Sequence, residues 1–154
     1  MSKKTLLLVT LFVFVVFRIP AYAAGPGGEN SFAHTWNSYS DKEKKSFLFG
    51  VATSARAICT DISSMQKDAS TQTIEATFRD CFNSYAGMEP DRVIAAMSAL
   101  YADSKNALIP IDGAYKISLM QVRGDKVDEI IVQARKYGEG IKKELEQQRK
   151  KAGK

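Results

Sequence analysis

Between Ser40 and Gly87 the chain reads SDKEKKSFLFGVATSARAICTDISSMQKDASTQTIEATFRDCFNSYAG. Ser40-Asp41-Lys42-Glu43 has the form of a capping box, in which the Ser40 hydroxyl accepts from the backbone N–H of Glu43 while the Glu43 carboxylate reaches back to Ser40. Beyond it, Phe47 or Leu48, Val51, Ala55, Ile58, Cys59, Ile62 and Met65 recur at three- and four-residue steps, the signature of one apolar helix face. Gly50, Ala52 and Ala55 are small enough to let a neighbouring helix come close. The polar run Lys67 to Thr71 marks a turn. A second helix, capped by the Thr71 hydroxyl, carries Ile74, Phe78, Cys81, Phe82 and Tyr85 inward until Gly87 ends it.

Cys59 and Cys81 lie at equal distances on either side of residue 70, so an antiparallel hairpin folded at that turn brings the two thiols to one height. In a chain bound for an oxidising compartment they form a disulfide. Closing this loop stabilises the fold by about 3 kcal/mol on chain-entropy scaling. Neither a C-x-x-C motif nor a zinc ligand set is present, so the bond is structural and neither a metal nor another cofactor is expected. The stapled hairpin is expected to be the heart of the body.

Toward the amino end, Phe32 and Trp36 are four residues apart, which predicts a short helical turn docking on the body. Gly25-Pro26-Gly27-Gly28 reads as a flexible leader. Earlier still, Lys3-Lys4, the apolar run Leu6 to Phe17, and Pro20 followed by Ala21-Tyr22-Ala23 form the three parts of a signal peptide, with cleavage expected between Ala23 and Ala24. The apolar run is too short for a membrane span of about 20 residues, so no transmembrane segment is expected in the mature form.

Toward the carboxy end, Pro90 suits the first turn of a third helix, with Val93, Ile94, Met97, Leu100 and Tyr101 facing in. Pro110 disfavours helix at Ile109. Asp112 is then expected to cap a short helix with Tyr115, Leu119 and Val122 inward, stopped by Gly124. A last helix starts near Asp125 and carries Val127, Ile130 or Ile131, Ala134, Tyr137, Ile141 and Leu145. No segment alternates in the manner of a strand. The expectation is an all-α, single-domain bundle of about five helices with one disulfide and no substantial sheet. Its parts are signal peptide 1–23, leader and docking turn 24–39, helical domain 40–145 and a fraying basic tail 146–154.

Loss of Lys3, Lys4 and Arg18 with the signal leaves two more basic than acidic residues, and the surplus sits at the carboxy end, where residues 142–154 hold six Lys or Arg against Glu144 and Glu146. A nucleic-acid protein spreads basic charge across a folded face, so nucleic acid is not an expected partner. The sequence holds one histidine, His34, in the amino-terminal region, and no G-x-S-x-G, H-E-x-x-H or phosphate-binding glycine loop. Catalytic residues are therefore not assigned. Asp61 with Asp80, Glu89 with Asp91, or Asp103 with Asp112 are the carboxylate pairs on which a small hydrolase or lyase would have to rest.

The polar segment that stands out is Tyr101-x-Asp103-x-x-Asn106-x-x-Ile109-Pro110-Ile111. Turn chemistry accounts for most of its residue types. Read functionally, Tyr101, Asp103 and Asn106 form a preorganised binding patch on a rigid loop. Arg149, Lys150, Lys151 and Lys154 offer a third option, attraction to an anionic envelope surface.

Together, Trp36, Ser40 to Lys45, Phe47-Leu48-Phe49-Gly50, the Tyr101 to Ile111 pattern and Ala114 resemble a group of small exported bacterial helical proteins of unassigned activity. That resemblance implies an all-helical periplasmic protein and no catalytic residues. A more distant likeness is to periplasmic immunity proteins that neutralise injected toxins. The function expected is a binding or protein-interaction module with a protein partner in the cell envelope.

Overall fold

The computed structural model describes residues 30–66 and 68–153. The signal peptide, the Ala23–Ala24 junction and the glycine-rich leader lie outside the described residues. Within them every regular element is helical: α1 Phe32–Ser38, α2 Asp41–Ser64, α3 Thr71–Ala86, α4 Pro90–Ala102, α5 Ile111–Arg123 and α6 Asp128–Ala152, with a 3-10 turn at Ser104–Asn106. The described residues thus hold six α-helices where about five were expected. The addition is the docking turn at Phe32, which is a helix in its own right because Ser31 caps it, its hydroxyl accepting from His34 N. His34, half-buried, is part of this helix.

The core is built by α1, α4 and α5 with the first turns of α2. Trp36 is fully buried, its indole N–H donates to Ser98 Oγ at 3.2 Å, and its ring meets Tyr39 and Phe47 edge-on. Leu48, Val93, Met97, Leu100, Ala114, Ile117 and Leu119 close around it. The inward set of α4 is as the periodicity predicts, with Ile94 packed at its edge. On α5 the buried face is Ala114, Ile117, Ser118 and Leu119, and Tyr115 and Val122 are half-buried.

The Cys59–Cys81 bond forms at the predicted height, with Cα atoms 5.6 Å apart. Its hairpin, however, is an arm and not the heart of the molecule. α3 has no fully buried residue, and on α2 Ile58, Ile62 and Met65 remain 56, 46 and 76 % exposed. The reason is thickness. Two helices alone bury only the sides they turn to each other, here Cys59 and Ser63 of α2, and their apolar stripes are wider than that contact. The arm is fastened at its base, where the last carbonyls of α3 accept donors from α5: Asn83 O from Arg123, Tyr85 O from the Tyr115 hydroxyl, and Ser84 O from Lys116 Nζ at 3.3 Å. Cationic donors at a helix carboxy end complement its dipole.

Cap by cap, the predicted Ser40–Glu43 box is present, and these bonds hold the Glu43 carboxyl below the ordinary range. Pro90 opens α4, and Gly124 ends α5 in the left-handed region at φ 89°. Three starts differ. Ser70, not Thr71, caps α3, since its hydroxyl accepts from Thr73 N. Pro110 precedes α5 with no side-chain cap, which leaves Asp112 as an acidic residue of the first turn. α6 begins at Asp128 because Asp125 N is taken by Met120 O in the turn after Gly124.

α6 also keeps helix geometry through Ala152, past Leu145, where the tail was expected to fray. Its Lys, Glu, Gln and Arg are strong helix formers, with Asp128 and Glu129 in the first turn and Arg149, Lys150 and Lys151 in the last. No helix among the described residues is long and apolar enough to cross a membrane.

Candidate functional site

Tyr101, Asp103 and Asn106 come together at the end of α4, in one bonded network. Tyr101 is fully buried and its hydroxyl donates to Ile109 O at 2.7 Å. Burial, with a smaller contribution from the Asp112 carboxylate, pushes its phenol far above the ordinary range. Asn106 is buried as well: its amide donates to Leu100 O at 2.7 Å, and its side-chain oxygen accepts from Arg135 Nε at 2.8 Å. Asp103 caps the 3-10 turn through Lys105 N and pairs with the same guanidinium at 3.0 Å. A ligand reaching this loop would meet Asp103 and Arg135; the Tyr101 ring is out of reach behind them.

Arg135 is the residue that sequence reasoning missed. It lies on the inner side of α6, four residues after Ile131 and three before buried Gly138, so an arginine on an apolar stripe was the available signal. Gly138 was missed too. A Cβ there would stand 1.9 Å from Leu108 O, so the loop and α6 are in backbone contact.

Two of the carboxylates named as possible acid–base pairs have cationic partners instead. Asp91 pairs with Lys45 at 3.1 Å and Asp103 with Arg135. Asp80 borders a shallow surface groove beside Arg123, and Asp103 borders none of the four grooves described among these residues.

The arm offers a different kind of site. Ile58, Ile62 and Met65 follow one another at four- and three-residue steps, and Tyr85 of α3, 49 % exposed, borders the same shallow groove as Val51, Ser54 and Ile58. No known family, curated protein or solved structure matches this chain. The arm must therefore be read on its own chemistry. Single exposed apolar residues are ordinary on a protein surface, but a row of them on one face of a stapled hairpin is a patch. Between Ala57 and Gln66 the only charged residue is Asp61, and depletion of charge marks the centres of protein interfaces.

Proposed function

We propose that this chain is a non-enzymatic protein-interaction module of the bacterial envelope, and that it docks a partner on the uncovered face of the α2–α3 arm. The observation that carries this reading is the exposed row Ile58, Ile62, Met65 and Tyr85 on a hairpin held rigid by Cys59–Cys81. Sixteen residues of α3 at 1.5 Å each, and two helix diameters, make a face about 24 Å by about 20 Å. That is about 480 Å², below the ~800 Å² per partner of a standard interface, and it fits a small, transient contact. The partner it fits is a protein presenting an amphipathic helix or helical face that packs against the two helices of the arm. Preorganisation by the disulfide lowers the ordering cost of such a contact. The setting we propose for such a module is the periplasm, and an immunity-like role against an injected toxin is one task that would use it.

The test is photo-crosslinking from position 65 in the periplasm of the producing bacterium, followed by mass spectrometry, with Ile58→Asp and Ile62→Asp as controls. These positions are exposed, so helix content and Tm should hold. A distinct protein captured by the parent chain and lost in both variants supports the reading. A crosslink only to a second copy of this chain, or none above background, overturns it.

A further inference from the structure

Away from the arm, α1 and α6 enclose a groove of about 320 Å³, within the range of small-ligand sites. Phe32 of α1, Leu108 of the connecting loop, and Ile141 and Leu145 of α6 give it an apolar side, and Asn30, Ser31 and Thr35 border it with polar atoms. Its depth is set by the Gly138–Leu108 backbone contact, which draws the loop against α6. Lys142 and Arg149 stand on the same side of α6, seven residues and about 10 Å apart, with Glu146 between them. None of the three makes an ion pair among the described residues.

The groove thus joins an apolar lining to an edge of net charge +1. We infer that it takes a single-chain amphiphile with an anionic head, the alkyl chain lying along Ile141 and Leu145 and the head pairing with Lys142 or Arg149. An apolar groove alone would accept any grease. What selects an anionic amphiphile is the placement of two exposed cations without ion-pair partners among the described residues beside that lining, where an anionic head group gains a charge-assisted hydrogen bond.

Laurate, kept below its micelle concentration, is the probe. Titration calorimetry on the exported protein should show saturable binding of one laurate per chain, no binding of acetate, and at least tenfold weaker binding of decanol. Lys142→Gln with Arg149→Gln should weaken laurate at least tenfold, and Leu145→Asp should do the same from the apolar side, both with unchanged helix content. Absence of laurate binding overturns the proposal. Equal affinity in the charge variant, or binding to anionic vesicles without binding of monomeric laurate, overturns it as well.

Discussion

At the scale of single residues, one buried side-chain hydroxyl among the described residues is unbalanced. Ser118 is fully buried, and its hydroxyl has no hydrogen-bond partner among the described residues. A buried hydroxyl without a partner costs desolvation and returns nothing. Ser118→Ala should therefore be neutral or should stabilise the protein by up to about 1 kcal/mol, read as a higher midpoint in urea. The two glycines of α6 are predicted to respond with opposite signs. Gly140→Ala adds a methyl where nothing lies within 4 Å and should stabilise by about 0.5–1 kcal/mol. Gly138→Ala drives a methyl into Leu108 O and should destabilise by about 1–3 kcal/mol, as overpacking does. The difference between them was invisible in the sequence, because Tyr137-Gly138-Glu139-Gly140-Ile141 gives both glycines the same local setting. Only the position of Leu108 tells them apart, and that is a contact between distant parts of the chain.

At the scale of elements, legibility followed the range of the forces. Ser40–Glu43, Pro90 and Gly124 were readable because a cap involves neighbours within a turn. The starts of α5 and α6 were not, because Asp112 and Asp125 sit beside stronger local constraints, Pro110 in one case and the Gly124 turn in the other. The loop from Asp103 to Pro110 shows the same division. Its turn residues were recognisable, but the Arg135 that ties Asp103 and Asn106 to α6 comes from 29 residues beyond Asn106. Tyr101 gives this loop a pH limit. Its folded pKa is raised, first by burial and then by Asp112, above the unfolded value of about 10. The associated stability is complete below that pH and declines as pH rises above it. Urea unfolding between about pH 8 and 11 should show that decline, with a shallower slope in Tyr101→Phe. At neutral pH the same substitution leaves Ile109 O without its donor and should cost about 1–3 kcal/mol.

At the scale of the molecule, the sequence placed the cysteines correctly and the centre of gravity wrongly. Cys59 and Cys81 meet because two helices of known start and a polar turn fix their heights, a matter of counting. Which helices surround the core depends instead on how much of each apolar stripe finds a partner, and among the described residues α3 packs along α2, accepts a hydrogen bond from Gln66 at Thr77 and takes the donors of α5 at its last turn. Stability should divide accordingly. Body and arm share α2, but the body's apolar contacts are made by Leu48 in the first turns of α2 and by residues of α1, α4 and α5, outside the arm. Removing the bond with Cys59→Ser and Cys81→Ser frees a loop with a sequence separation of 22 residues, worth about 3 kcal/mol if the whole chain unfolds as one unit. An arm only two helices thick should open before that unit does. Hydrogen exchange on the double variant should accordingly show faster exchange from Ile58 to Phe82, while amides of Met97, Leu100 and Ile117 keep their protection. Equal loss of protection in both regions would mean that the arm and the body form a single cooperative unit, and that the disulfide braces the core through α2.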